Sequence, residues 1–168
     1  MSSLVEFLRP SQQSNIRSLA LLVLRLAVGM AFVIHGWPKI QNPMGWALPP
    51  PTSPISIPPF FQLLAAIAEF GGGLAFIFGF LTRIASLGIM SVMSVAIYLL
   101  AVLMHEPFVN LTGPIAYELN VAYWCIAFLF LIFGPGQFSL DRAVFGLDPE
   151  VRPAFESPQP RSELTGTL

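Results

Sequence analysis

Glu69 stands inside "AEFGGGLAFIFGFLTR", residues 68 to 83, a run apolar and glycine-rich enough to sit in lipid. Arg25 interrupts a second such run, "SLALLVLRLAVGMAFVIH". A charge in hydrocarbon costs about 2.5 to 3.5 kcal/mol on insertion scales, so such residues pair with one another or serve a ligand or proton path. Counting 1.5 Å per residue from the span ends puts the two roughly 6 to 8 Å apart in depth, which predicts that Glu69 meets Arg25. A second polar set collects towards the far surface. His35 and Lys39 close the first apolar run, His105 and Glu106 the third, and Tyr117 and Glu118 open the fourth. With the buried pair, these residues could line a polar funnel suited to a quinone head group, a small anion or proton movement. They also read as solvated helix ends, the reading that His35 and His105 favour, and both readings stay open. Arg25, Glu69, His35, Lys39, His105 and Glu118 are thus the candidate ligand-binding residues, and no residue is assigned as catalytic.

Several chemistries are excluded. There is no glycine-rich phosphate loop, no H-E-x-x-H, no Cys/His metal spacing and no basic patch for nucleic acid. Haem ligation would need His35 and His105 to face each other at equal depth, which their loop-end positions do not promise. Cys125 is the single cysteine, so no disulfide or C-x-x-C pair forms, and it reads as a small apolar packing residue.

The elements that position these residues follow from composition. Of 168 residues, 55% are hydrophobic and 10% charged, with a mean hydropathy of +0.72. Soluble domains carry roughly a quarter charged residues, so this chain belongs in a bilayer. Four continuously apolar runs, about 18–35, 60–81, 84–104 and 116–133, predict an all-α, antiparallel four-helix transmembrane bundle. Alternating strands of a barrel would look different. Arg25 and the lack of a small-residue cleavage site in "HGWPKIQNP" make the first run a retained helix and not a signal peptide.

Arg9, Arg17, Arg83, Arg142, Arg152 and Arg161 fall on one side of these runs, and Lys39 on the other. Basic residues face the cytoplasm, which predicts both termini inside a cytoplasmic (inner) membrane. Residues 1–17 form an N-terminal segment, 18–143 the membrane domain and 144–168 a flexible tail. The outer loop 39–59 is proline-rich and reads either as a semi-rigid spacer or as a lid, with Trp37 and Trp46 in the interfacial zone. Gly71, Ala75 and Gly79 make a small-residue stripe for close helix packing or for oligomerisation.

The chain resembles the DoxX family of small four-helix membrane proteins from Leu19 to about Ala143. The resemblance is carried by "LRLAVGMAFVIHGWPKI", "AEFGGGLAFIFGFLTR", His105, "YELN" and "GPGQFSLDRA", in that order. The proline-rich loop departs from the glycine-containing loop expected there. The resemblance implies the four-span fold and, in some members, thiosulfate- or quinone-linked oxidation or membrane-bound redox-stress complexes. Two functions follow as expectations. One is a redox-linked membrane subunit that binds quinone or a small ligand and works with a partner oxidoreductase. The other is a non-catalytic scaffold or assembly factor; a small-solute transporter is a third.

Overall fold

The computed structural model describes residues 15–47, 55–111, 113 and 115–145. Arg9, Pro49 to Pro51, Pro54, Arg152, Arg161, most of the N-terminal segment and nearly all of the tail lie outside the described residues. Each expected apolar run is helical: α1 is Asn15–Gln41, α2 is Pro59–Phe78, α3 is Thr82–Tyr98 and α4 is Glu118–Phe133. A π-helical turn, Leu99–Leu103, prolongs α3, and a short α5, Leu140–Phe145, follows α4. No strand occurs among the described residues.

Three helices, α1, α2 and α3 with its π-turn, are long and apolar enough to cross a membrane. The 16 residues of α4 rise only about 24 Å, short of a hydrocarbon core of about 30 Å. Its expected span is helical, but the polar Glu118 and Asn120 begin it. Helix α1 runs on through Pro38 to Gln41. Pro38 falls in the last turn, where it removes one backbone donor without breaking the helix apart. Helix α2 opens on Pro59 with Pro58 as its cap, and Gly79 closes it at φ 65°, a left-handed conformation that glycine adopts without strain.

Helices α1 and α2 run antiparallel with their backbones nearly touching. A Cβ on Gly36 would lie 2.6 Å from the Phe70 nitrogen, and one on Gly73 would lie 2.7 Å from the Val33 nitrogen. Glycine at these positions lets the two backbones close up. The stripe expected at Gly71, Ala75 and Gly79 is not this interface. The buried residues of α2 are Gln62, Ala66, Glu69, Gly72, Gly73 and Phe76, whereas Gly71 is exposed and a Cβ there would meet nothing within 4 Å. Gly79 instead ends the helix against the Arg25 guanidinium.

All four long helices contribute to one core. Phe76 of α2 meets Phe130 of α4 edge-on at 5.0 Å, and Phe32 of α1 meets Tyr123 of α4 at 4.9 Å. Ile89 and Met93 of α3 fill the space between them. Cys125 is exposed on α4 and so packs against nothing in this core.

Gly36→Leu and Gly73→Leu overfill the α1–α2 contact and cost about 1–3 kcal/mol each, lowering the monodisperse fraction in size-exclusion chromatography of detergent extracts. Gly71→Leu leaves that fraction unchanged. Equal yields for all three would contradict the observed register.

Candidate functional site

The expected Arg25–Glu69 pair does not form. Side chains lean towards the N-terminus of their own helix, so Arg25 on α1 reaches away from Glu69, towards the end of the molecule that holds the α2–α3 turn. Gly29, one turn further along α1, is what packs against Gly73 and Ile77, so the Arg25 backbone lies past Ile77, more than about 12 Å of helix rise from Glu69 and not the 6 to 8 Å counted from span ends. The guanidinium is 1% exposed. Its Nε donates to the Phe76 carbonyl at 2.8 Å and one terminal nitrogen to Ile77 at 3.3 Å. The other terminal nitrogen donates to the carbonyls of Pro135 at 2.6 Å and Phe138 at 3.1 Å. Arg25 therefore caps the C-terminus of α2 and ties it to the segment after α4.

Asp141 of α5 answers from the other side of the turn. Its carboxylate accepts from the Leu81 and Thr82 amides at 2.6 and 3.0 Å, capping the N-terminus of α3. It is also buried and supplies an electrostatic counterpart to Arg25. Both charged side chains at this end serve the backbone groups of helix termini.

Glu69 is met by Lys39. Both lean inwards from their helices, and the ammonium donates to the two carboxylate oxygens at 2.6 and 2.7 Å. Glu69 is 4% exposed. The Lys39 nitrogen also lies 4.5 Å from the centre of the Trp46 ring, within cation–π range. Trp46 is held in turn, its indole N–H donating to the Gln62 carbonyl at 2.9 Å. The buried Gln62 side chain accepts from the Ala47 amide at 3.0 Å and donates to the Ile57 carbonyl at 2.7 Å. One amide thus fastens both described ends of the proline-rich loop to the first turns of α2.

Beside this pair lies an apolar cavity of about 710 Å³, within the range that suits a small organic ligand. Leu64, Ala65 and Ala68 of α2 form one wall and Val92, Val95 and Ala96 of α3 the other. Lys39, Glu69 and Trp46 provide its polar end, and Ile55 to Pro58 cover it from the loop. The helices converge at its base, where Gly88 comes against Ala68. The described parts of the loop therefore help wall the cavity.

Of the six candidate residues, Lys39 and Glu69 come together on this cavity, and Arg25 lies at the opposite end of the helices. His35, His105 and Glu118 are exposed and do not line it. Among the described residues no group of three or more His, Cys, Asp or Glu gathers as metal ligands. Trp46, Gln62 and Asp141 were not singled out from the sequence as site residues. Gln62 had a signal, being polar and one heptad before Glu69 on the same face of an apolar helix.

Apolar spans packed around a buried capping arginine, with an ion pair on a cavity between two of them, define a small helical membrane protein. The DoxX family profile matches residues 20–106, and the chain belongs to the DoxX family. It is similar to the inner membrane protein YqjF of Escherichia coli (strain K12), with 32% identity over 129 residues that cover 76% of this chain and 94% of the relative. No solved structure matches the chain.

Removing one partner of a buried ion pair typically costs about 3–5 kcal/mol, whereas replacing both by apolar residues is often neutral. Lys39→Met and Glu69→Leu should each lower the thermal unfolding midpoint in detergent, and the double variant should recover it. Glu69→Leu should not rescue Arg25→Leu. Rescue of the arginine variant would restore the pairing that the structure replaces.

Proposed function

We propose that this protein is a redox-linked membrane subunit that binds a quinone-like lipophile in the α2–α3 cavity and works with a partner oxidoreductase. One observation carries the reading: an ion pair of net charge zero, with Glu69 buried and Lys39 half-buried, forms the polar end of a cavity that is otherwise apolar. An apolar pocket with a few convergent polar groups is the usual form of a site for a small organic ligand. Ionisable residues held at membrane depth are functional by default. The neutral charge sum disfavours the small anion that the sequence left open. Lys39 and Glu69 are the proposed head-group contacts, Trp46 orients Lys39, and α2 and α3 hold the tail.

The same reading takes α4 as the fourth span, completed by the polar segments at its ends, in an antiparallel bundle with both termini cytoplasmic. The similarity to an inner membrane protein of Escherichia coli supports an inner membrane location. A reporter fused after Leu168 should signal from the cytoplasm, and one inserted near Pro51 from outside. Signals of the opposite sign would invert the topology and place the cavity's polar end towards the cytoplasm.

Ala65→Phe fills the cavity from its α2 wall and leaves both residues of the ion pair in the sequence. Lipid extracts of the purified wild-type protein should contain quinone in near-stoichiometric amount, and those of Ala65→Phe at least fivefold less at equal protein yield. Mild-detergent purification should bring down an oxidoreductase with the wild-type chain. Recovery of an unrelated client membrane protein with no quinone would favour the scaffold reading.

A further inference from the structure

We infer that the polar end of the cavity reads a hydrogen-bond donor, so that its occupant is a neutral lipophile presenting a hydroxyl, such as a quinol or an alkylphenol, in preference to the carbonyl form. The inference rests on the proposed use of the cavity as a lipophile site. It comes from counting donors and acceptors. An ammonium has three donors and no acceptor. Two of the Lys39 donors go to Glu69 Oε1 and Oε2, and the nitrogen faces the Trp46 ring with its remaining side. The Trp46 indole N–H is spent on the Gln62 carbonyl, and the Ser91 hydroxyl donates to the Leu87 carbonyl at 2.8 Å. The Ser56 hydroxyl stands exposed on the loop that covers the cavity. The donors at the Lys39–Glu69 end of the cavity are therefore engaged, and the Ser56 hydroxyl on the loop is the lining side-chain donor with no such bond among the described residues.

The acceptors are not. A carboxylate offers about four lone-pair sites over its two oxygens. Lys39 takes one on each, and no other hydrogen bond is made to Glu69 among the described residues. The Ser91 oxygen likewise keeps acceptor capacity. A hydroxyl arriving at Glu69 completes a charge-assisted hydrogen bond in a place that water scarcely reaches. A carbonyl arriving there meets acceptor against acceptor, and gains a partner only by drawing Lys39 away from Glu69 or from the indole face. An anion gains little, because the pair carries no net charge and Lys39 is already engaged by both carboxylate oxygens.

The test compares four probes by equilibrium partition between nanodiscs with and without the protein, under anaerobic conditions. The probes are a decyl-substituted benzoquinone, its quinol, the quinol dimethyl ether and 4-decylphenol. A hydrogen bond to a charged group corresponds to about a tenfold or greater change in affinity. The quinol should bind at least tenfold more tightly than the quinone and than the dimethyl ether, which keeps the ring and loses both O–H donors. If the decylphenol binds as well as the quinol, a hydroxyl alone is what the site reads; if it binds more weakly, the second ring oxygen adds recognition. Glu69→Gln, which supplies an amide N–H and releases Lys39, should shrink or reverse the preference. Quinone or dimethyl ether binding within twofold of the quinol overturns the inference. If both ring forms bind equally and Ala65→Phe abolishes both, the cavity still serves a lipophile and only the donor preference fails. If none of the four partitions onto the protein, the cavity reading fails and this inference with it.

Discussion

Helix ends in an apolar medium must find hydrogen-bond partners, because no water reaches them and each bare group costs several kcal/mol. Two helix ends meet at the turn between α2 and α3, and two charged side chains serve them. Arg25 takes the carbonyls that α2 leaves open, and Asp141 takes the amides that α3 leaves open. The arginine's remaining donors go to Pro135 and Phe138, so the same contacts hold the segment after α4 in place. Gly79 follows from this arrangement, since a side chain there would collide with the guanidinium at 2.7 Å. So does the αL backbone of Leu81, whose φ of 49° aims its amide at Asp141.

With Arg25 committed at that end, Glu69 needs another cation. The lean of helical side chains supplies it: α1 and α2 are antiparallel, so Lys39 and Glu69 incline towards each other while Arg25 inclines away. The resulting pair sits where α2 and α3 part above the small residues Ala68 and Gly88. Convergence at the base and divergence above it are what leave room for the cavity. Gln62 then closes the structure over the cavity by binding both sides of the loop.

The sequence made the helical class, the apolar segments and the family resemblance legible, because continuous hydrophobic runs and an ordered set of short motifs do not depend on side-chain direction. It also marked Arg25, Lys39 and Glu69 as residues that need partners. What it did not yield was the partnering itself. A depth count ignores both the inward or outward lean of a side chain and the few residues by which a helix overruns its apolar run, as α1 does through Pro38. Together these errors exceed the reach of one arginine. Gly71 misled for a related reason: a stripe at i, i+4 and i+8 identifies a helix face but not which face is buried, and the burial of Gln62, Glu69 and Phe76 selects the other side. Asp141 was visible only as one letter of "GPGQFSLDRA", since a cap delivered from 60 residues away leaves no local pattern.

That separation sets an order of events during biosynthesis. Leu81 and Asp141 are 60 residues apart, and Arg25 and Pro135 are 110 apart. At ~5–20 residues per second, a ribosome needs about 3 to 12 s after making Leu81 before Asp141 exists. In the later part of that interval, once α3 has been made, the hairpin of α2 and α3 stands with its turn half-capped and Arg25 short of its last acceptors. The nascent chain must therefore be sheltered, by the insertion machinery or by the wet headgroup layer, until residues 135 to 141 arrive as the clasp. A chain that stops after α4 keeps every apolar span and still displays the unfinished turn, a signature by which membrane proteases can distinguish an incomplete molecule from a finished one.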